Sequence, residues 1–515
     1  MVLGIVFASI FAAIFIAAIV VGLYFTISLV KTPMIEVDYK KHFIKVGITV
    51  CAAMIAFIAS SLFFYQILKV TPSAQYVVQL ILGGLLFSGC LLTAVHFFII
   101  HYYGHNLPEK LDKWLFRIQI VGFTAAVFFF FIWTNGFAHY LTYPIPSGIN
   151  FQHGFVAPGA TDKDGYPIGP NIAFYAICIL SGAILVYFLC DHYMYKEYGK
   201  HGILESTFFV AFPAGIIGGR IGYVVGNWHE FAGHFADAFA IWKGGLTILA
   251  GAPAGIIVGV IWYLWRNRDK SLWVIFDIAL PAILIAQAIG RWGNFFNCEV
   301  HGLAVNAENW KWLPEIIWRN SQFDQSGSFA GDGQIYLPLF FIEGVINLLG
   351  YFVLAHVFGK ALRKYVEFGD VGFGYIIWYG MTRVVLEPLR DGAYQMGTKG
   401  YWSWLWSMAF VIAGTLMIVI NHFVRNYLKK KNGTFNVKPY DKKLGLISSL
   451  VILAVGGAII AVAAYLMTSN KFETIVAYNG FNTGAILLVT GISVLLCLAI
   501  SIPIFVEAIR GKQHA

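Results

Sequence analysis

The sequence predicts an all-α polytopic membrane protein with about 13 spans, its N-terminus outside the cell and its C-terminus in the cytoplasm. Three observations support this fold class. The 515 residues are 59% hydrophobic and only 12% charged, and the mean hydropathy is +0.72, which is far above that of an ordinary soluble domain. The apolar residues form runs of about 20, the length that crosses a hydrocarbon layer. Lys and Arg cluster in alternate loops, and this alternation holds throughout with an odd number of spans, which places the two termini on opposite sides of the membrane.

The apolar runs give the expected elements in order. The first run, residues 1–30, has no Lys or Arg before Lys31 and is too long for a secretory signal, so we expect a membrane span. The other predicted spans lie near residues 45–68, 76–100, 117–140, 172–190, 203–226, 245–265, 272–290, 336–358, 370–388, 402–424, 444–467 and 482–507.

A change of composition separates the fourth span from the fifth. Residues 146–170 are rich in Gly, Pro and polar side chains, a composition typical of an exposed linker. We therefore expect a four-span N-terminal extension (1–145), an extracytoplasmic linker (146–170), a seven-span core (171–425) and a two-span C-terminal extension (426–515).

Charge and cysteine content exclude some classes of function. The net charge of +9 could suggest nucleic acid, but the basic residues lie in short loops, where they set membrane topology. We expect no nucleic-acid partner. Five of the six cysteines lie inside apolar runs, and no pair has metal-ligand spacing, so neither a disulfide framework nor a metal site is expected. No internal repeat favours the two-halves plan of many transporters.

Ionisable side chains fall at the outer ends of separate predicted spans. Arg291 and Glu299 follow one apolar run within the stretch Gly290 to Gly302, and Arg383 and Glu387 end another. Such groups carry a large solvation cost at the edge of hydrocarbon, which favours a functional site. Guanidinium groups match phosphate oxygens with a planar fork of donors. The pattern predicts a phosphoglyceride bound from the outer leaflet.

Other residues of this region have a functional and a structural interpretation. Asn294 and Asn297 offer donors to phosphate or glycerol hydroxyls, and Gly302 permits close backbone approach. Arg220 lies in the outer half of its span, but an arginine within a span can also pair for structure alone. The adjacent Gly218–Gly219 pair is more typical of helix packing than of ligand contact.

Several motifs occur in a fixed order between about residues 166 and 425. They are Ile168-Gly169-Pro170 leading to Tyr175, Gly218 to Tyr223, Trp242 to Leu246, Asp277 with Pro281, Gly290 to Gly302 and Tyr379 to Arg390. Together they closely resemble the signature of bacterial prolipoprotein diacylglyceryl transferase, a family with a seven-span core.

The resemblance implies transfer of the diacylglyceryl group of phosphatidylglycerol to the lipobox cysteine of a prolipoprotein, at the outer leaflet of the bacterial plasma membrane and without a cofactor. It implies that Arg291 and Arg383 bind the phosphate and stabilise the leaving group. Glu299 would be a third catalytic residue. Glu299 and Glu387 would orient the arginines, and the resemblance leaves either of them as the acceptor of the thiol proton. The substrate-binding residues implied are Tyr175, Arg220, Asn294, Asn297, Gly302, Tyr379, Glu387 and Arg390.

The chain departs from that family's pattern at two positions. Leu249 stands where the family has His or Tyr, and Leu337 stands where it has His. Either another group, water or lipid phosphate deprotonates the thiol, or the chain is a non-catalytic phospholipid-binding or lipid-moving protein derived from the family. The presence of Arg291, Glu299 and Arg383 favours retained transfer.

Overall fold

In the computed structural model the chain is mostly helical. The structure describes residues 2–31, 39–103, 109–150, 154–161, 171–231, 235–239, 245, 247–363, 366–391 and 401–431. Nine helices in these ranges are long and apolar enough to cross a membrane, which confirms a multi-pass helical membrane protein. The predicted spans 444–467 and 482–507 lie outside the described residues, so the count of about 13 spans stays a prediction. The orientation stays a prediction as well.

The helices are α1 (Val2–Lys31), α2 (Tyr39–Leu68), α3 (Ala74–Tyr103), α4 (Glu109–Ala138), α5 (Phe174–Tyr198), α6 (Glu205–Gly226), α7 (Trp228–Phe231), α8 (Ile248–Arg266), α9 (Leu272–Asn297), α10 (Glu315–Asn320), α11 (Leu339–Tyr351), α12 (Asp370–Leu386) and α13 (Tyr401–Lys431). The strands are β1 (Gly148–Asn150), β2 (Gly154–Val156), β3 (Asn171–Ala173), β4 (Ala304–Asn306) and β5 (Gln334–Tyr336). Every predicted span within the described residues coincides with a helix.

The chain forms two compact units. The first contains the described residues of 1–145 together with two short segments from much later in the chain, 306–322 and 331–335. In this unit α1 packs on α2 and α3 packs on α4. The later segment contributes α10, whose first amide, that of Glu315, donates to the side chain of Asn135 on α4 at 3.1 Å. The loop between α9 and α11 is therefore built in part on the N-terminal bundle.

The second unit contains the described residues of 146–305, 323–330 and 336 onwards. Its first part is a three-stranded antiparallel sheet in the order β2-β1-β3, and β3 runs directly into α5. Helix α9 is central, because α5, α11 and α12 all pack against it. A buried cluster that includes Met194, Tyr263 and Ala282 joins α5, α8 and α9.

One buried carboxylate fixes α12 against α9. Asp277 accepts hydrogen bonds from the backbone N–H groups of Val371 and Gly372 at 3.1 Å and of Gly369 at 3.0 Å. Val371 and Gly372 lie in the first turn of α12, whose amides have no partner inside the helix, and Gly369 directly precedes the helix. Asp277 therefore caps α12 from a neighbouring helix and sets where the far end of α12 lies.

Two helices differ from their apolar runs. Helix α9 continues past the predicted end at residue 290 as far as Asn297, so the polar motif that begins at Gly290 is itself helical. Helix α11 ends at Tyr351 and continues as a wider helical segment, Phe352–Ala361. Such widened turns are rare and often occur near functional sites.

Candidate functional site

The candidate site is centred on Glu343, a buried carboxylate on α11. Its Oε1 accepts a hydrogen bond from Nη2 of Arg291 on α9 at 2.5 Å. Its Oε2 lies 3.9 Å from Nη1 of Arg383 on α12 and 3.8 Å from Nη2 of Arg390. One carboxylate thus faces three guanidinium groups, one from α9 and two from the stretch Tyr379 to Arg390.

A second buried carboxylate completes this arginine cluster. Glu387 Oε2 lies 3.5 Å from Arg383 Nη2 and 3.8 Å from Arg390 Nε. Three arginines and two carboxylates leave one net positive charge, which would balance the single negative charge of one phosphodiester. Burial, with Arg383 and Arg291 as positive neighbours, lowers the pKa of Arg390 to about 10, so this side chain is still protonated at neutral pH.

Arg383 carries an unused donor. Its Nη1 is buried and has no hydrogen-bond partner among the described residues, since the nearest carboxylate oxygen is 3.9 Å away. A buried N–H group without an acceptor is costly. An anionic oxygen bound at this position would satisfy the donor, which is the chemistry expected of a phosphate subsite.

The end of α9 forms a hydrogen-bonded chain beside Arg291. Arg291 Nη1 donates to Asn294 Oδ1 at 3.1 Å. The amides of Asn294 and Asn297 donate to Glu299 Oε1 at 3.0 and 3.1 Å. Glu299 is thus linked to Arg291 through Asn294, and the carboxylate that contacts Arg291 directly is Glu343.

A tight turn places Glu299 over the helix end. Cys298 ends α9 with φ +49° and Val300 follows with φ +56°, both in the left-handed region that non-glycine residues seldom adopt. The Glu299 N–H donates to the carbonyl of Asn294 at 3.0 Å. A strained turn of this kind is characteristic of functional sites.

Gly302 joins three chain segments at one point. It forms an antiparallel bridge with Arg390, and its N–H donates to the Leu337 carbonyl at 2.9 Å. A Cβ on Gly302 would lie 2.7 Å from the Leu389 carbonyl oxygen. The two sequence stretches that begin at Gly290 and Tyr379 therefore meet through backbone contacts.

Tyr175 on α5 packs against Gly293 of the stretch Gly290 to Gly302. A Cβ on Gly293 would lie 2.2 Å from the ring of Tyr175 and 2.9 Å from its Cα. The absence of a side chain at Gly293 thus allows α5 and α9 to approach closely, and it fixes Tyr175 one turn of α9 from Asn297.

Two polar stripes lead along the helices to the cluster. On α12, Tyr375, Tyr379 and Arg383 are spaced four residues apart and share a face; the two tyrosine rings lie 6.3 Å apart. On α9, Gln287 precedes Arg291 by one turn, and its Nε2 donates to the Tyr375 hydroxyl at 3.1 Å. This hydrogen bond aligns the stripe on α9 with the stripe on α12.

Arg220 is used differently. Its Nε, Nη1 and Nη2 donate to the backbone carbonyls of Ala238, Gly245 and Asp237 at 2.7–2.9 Å. The guanidinium also lies over the ring of Phe231 at 5.4 Å. All three hydrogen bonds are to the backbone of the segment after α6, so these contacts stabilise that segment.

The described residues contain no group of three or more His, Cys, Asp or Glu side chains that could hold a metal ion. What the arginine cluster offers is an array of charged donors from three guanidinium groups. Such an array suits binding of a phosphate ester and stabilisation of charge that develops on it.

Comparison with known proteins identifies the family. A family model described as prolipoprotein diacylglyceryl transferase matches residues 166–420. The phosphatidylglycerol–prolipoprotein diacylglyceryl transferase of Streptococcus equi subsp. equi (strain 4047) is 38% identical over 227 residues, which are 44% of this chain and 82% of that protein. The enzyme of the same name from Streptococcus suis (strain 05ZYH33) is 35% identical over 261 residues, 50% of this chain and 92% of that protein. The chain belongs to the prolipoprotein diacylglyceryl transferase family.

Family membership confirms the resemblance seen in the motifs. The matched range of the transferase family contains the whole arginine cluster, whereas residues 1–145 lie outside it. Leu337, at a position where the family has His, uses its backbone to pair with Gly302 and Leu303. Leu249 lies in the first turn of α8. Its side chain and residues 242–244 are not among those that the structure describes.

The sequence places Glu343 near the outer start of its predicted span, but it predicted no role for this central residue of the transferase-family site. Glu343 is a single carboxylate inside an apolar run, and only its contacts with three arginines reveal its place. Gln287 and Tyr375 were missed for the same reason. A signal existed, because an ionisable group within a predicted span marks a functional site by default.

Proposed function

We propose that this protein transfers the diacylglyceryl group of phosphatidylglycerol to the lipobox cysteine thiol of prolipoproteins, the first step of lipoprotein maturation. Family membership carries the proposal, since two relatives named phosphatidylglycerol–prolipoprotein diacylglyceryl transferase are matched over 82% and 92% of their length. The matched range includes the arginine cluster.

The proposed reaction is a displacement at carbon. The thiol sulfur attacks the glycerol carbon that bears the phosphate ester, so a carbon–sulfur bond forms and the carbon–oxygen bond breaks. The electron pair leaves with the phosphate oxygen of glycerol phosphate, and the thiol proton passes to an acceptor. Negative charge therefore grows on the phosphate, where donors already in place lower the barrier.

The cluster supplies those donors. Arg383 would direct its unpartnered Nη1 to a phosphate oxygen, and Arg291, held by Glu343 and Asn294, would present a second guanidinium. Glu343 and Glu387 keep the arginines apart and oriented without a change of shape during the reaction. Such preorganisation is usually the largest contribution to catalysis.

Glu299 is the proposed acceptor of the thiol proton. Its hydrogen-bond partners are the neutral amides of Asn294 and Asn297, whereas Glu387 lies between two guanidinium groups. We expect Glu299→Gln to lower the transfer rate at constant pH, because the amide cannot accept the thiol proton. An unchanged rate would show that water or lipid phosphate accepts the proton instead.

The remaining predicted residues receive binding roles. Asn294, Asn297 and Gly302 line the end of α9, and Tyr379 precedes Arg383 by one helical turn. Tyr175, which packs on Gly293, would contribute to binding from α5. For Arg220 the proposed role is to hold the segment after α6 in place, in accordance with its backbone contacts.

The proposed location is the bacterial plasma membrane, with the cluster facing the outer leaflet. An impermeant maleimide tests this orientation in intact spheroplasts. A cysteine introduced at exposed Ser326, in the loop between α9 and α11, should be labelled, and one at exposed Glu197, near the end of α5, should not. The parent chain corrects for its own cysteines.

The decisive experiment is a transfer assay with purified protein. Phosphatidylglycerol and a lipobox peptide should give a diacylglyceryl mass increase on the peptide cysteine, and a peptide with serine in its place should give none. Arg383→Lys keeps the charge but loses the fork of donors, so we expect about a 100-fold lower rate. Glu308→Gln is the matched control, because that carboxylate is exposed.

Binding of phosphatidylglycerol without transfer, under conditions in which the S. suis relative is active, would favour the lipid-binding alternative. An undiminished rate for Arg383→Lys would show that the bidentate geometry of this side chain does not matter.

A further inference from the structure

A second polar feature lies at the opposite end of α9. A cavity of about 570 Å³ opens where the loop between α5 and α6 meets the turn between α8 and α9. Its polar lining consists of Lys200, Glu205, Ser206, Arg266, Asn267 and Lys270. Lys270 precedes the start of α9 and Arg291 lies near its other end, so about 30 Å of helix separates the cavity from the arginine cluster.

The loop that forms one wall is preorganised. Asp191, buried on α5, accepts hydrogen bonds from His201 Nδ1 and from the Gly202 N–H, both at 2.7 Å. The His201 ring stacks on Tyr195 with 4.0 Å between ring centroids. Gly202 has φ +75°, a conformation that glycine adopts readily. The wall is therefore built before any ligand arrives.

The cavity carries excess positive charge. Lys200, Arg266 and Lys270 line it, against a single carboxylate, Glu205. Lys270 pairs with Asp269 at 2.8 Å, but neither Lys200 nor Arg266 forms a salt bridge with any described residue. The first residues of α6 also line the cavity, and no side chain caps this helix, so the positive end of its dipole adds to the field.

Asn267 supplies an independent sign of a missing ligand. The side chain is 8% exposed, and its Nδ2 has no hydrogen-bond partner among the described residues. Its backbone is satisfied, because the N–H donates to Tyr263 and the carbonyl accepts from Lys270. A buried amide donor normally finds an acceptor, and a ligand oxygen in the cavity would be that acceptor.

We propose that this cavity binds a phosphate-bearing anion through Lys200, Arg266 and the Asn267 amide. A phospholipid headgroup is the favoured source, because Phe209, which also lines the cavity, is 66% exposed on α6 and can lie beside an acyl chain. The basic residues that line the cavity lie in loops predicted to be cytoplasmic. Basic pockets between membrane helices on that side commonly bind anionic lipids.

The test compares thermal unfolding of the full chain in nanodiscs. Phosphatidylcholine alone is the reference; one arm adds phosphatidic acid to the bilayer and the other adds inorganic phosphate to the buffer. The arginine cluster can also bind phosphate, so the readout is the difference between variants. Lys200→Gln and Arg266→Gln should each weaken the stabilising effect, with about a tenfold loss of apparent affinity.

Two variants serve as controls of opposite kind. Arg268→Gln removes an exposed arginine that does not line the cavity and should behave as the parent. Glu205→Gln removes the one lining carboxylate and should bind the anion more tightly. Circular dichroism and gel filtration confirm that each variant is folded.

The two arms identify the source. An effect of phosphatidic acid alone supports a lipid site, and an effect of inorganic phosphate supports a soluble phosphate compound in the same cavity. No difference between Arg266→Gln and Arg268→Gln in either arm would overturn the proposal. An unchanged or weaker response of Glu205→Gln would do the same.

Discussion

Replacing Glu343 by glutamine removes one charge from the centre of the arginine cluster and keeps the size of the side chain. Glu343 is buried and lies 2.5, 3.9 and 3.8 Å from Arg291, Arg383 and Arg390. The net charge of the cluster rises from one to two. Each attraction at this distance is worth up to about 4 kcal/mol near a protein surface, but desolvation offsets much of it.

The expected cost to stability is about 3 kcal/mol, since removal of one partner from a buried ion pair costs roughly 3–5 kcal/mol and the glutamine oxygen can still accept from Arg291. The expected effect on rate is larger. Without a charged centre the guanidinium groups repel each other and move, and a misplacement of about 1 Å can lower a rate by roughly 100-fold.

The assay measures kcat and KM for phosphatidylglycerol with a lipobox peptide, beside the unfolding midpoint. For Glu343→Gln we expect kcat to fall about 100-fold. KM should change by less than about threefold, because added positive charge and lost orientation act in opposite directions. Glu308→Gln, an exposed carboxylate, is the control. A Glu343→Gln kcat within about twofold of the parent would refute Glu343 as the organiser of the cluster.

Three further variants test the surrounding structure. Gly293→Ala places a methyl group on Tyr175 and should destabilise the fold by about 1–3 kcal/mol; an unchanged unfolding midpoint would contradict the close packing of α5 and α9. In Asp277→Asn the side-chain NH2 would face one of the three backbone N–H groups that Asp277 now accepts from. We expect a loss of stability of about 1–3 kcal/mol and a lower transfer rate, measured in the same preparations. Parent values for both would show that the cap is dispensable. Burial lowers the pKa of His301 below its ordinary value of 6.5, so its neutral form contributes stability that is complete above pH 6.5 and is lost as the pH falls towards the lowered value. The unfolding midpoint of the parent should therefore fall more than that of His301→Phe between pH 7.5 and pH 5, two values that lie roughly one unit or more from 6.5. Equal falls of the midpoint would show that His301 is not the cause.

Much of the helical architecture could be predicted, because a helix that crosses hydrocarbon must be long and apolar. The meeting of the Gly290 and Tyr379 stretches was also predictable in outline, since both follow outer ends of spans. Their detailed connection was not. The bridge between Gly302 and Arg390 depends on the backbone geometry after α9. The left-handed conformations of Cys298 and Val300 belong to that geometry, and no local sequence pattern predicts them.

The organisation around Glu343 could not be derived from one sequence. A carboxylate in an apolar run can have any of several partners, and three-dimensional packing decides which arginines it receives. The short strands β1 and β2 fall in the predicted linker, and β3 falls at the start of the predicted fifth span; none of the three was predicted, for a similar reason. Three-residue strands have little local signal, and cross-strand pairing decides whether they form.

The return of residues 306–322 and 331–335 to the N-terminal unit changes how this protein can be dissected. A cut after residue 145 would separate the N-terminal extension from the matched transferase region in the sequence. Residues 306–322 and 331–335 of the matched region would then lose the unit to which they belong. Helix α10 would lose the hydrogen bond from the Glu315 N–H to Asn135 and the contact between Glu315 and His139 at 3.2 Å. A shortened enzyme would therefore need a redesigned surface on α10 as well as a new start codon, and the N-terminal bundle expressed alone would lack part of its own fold.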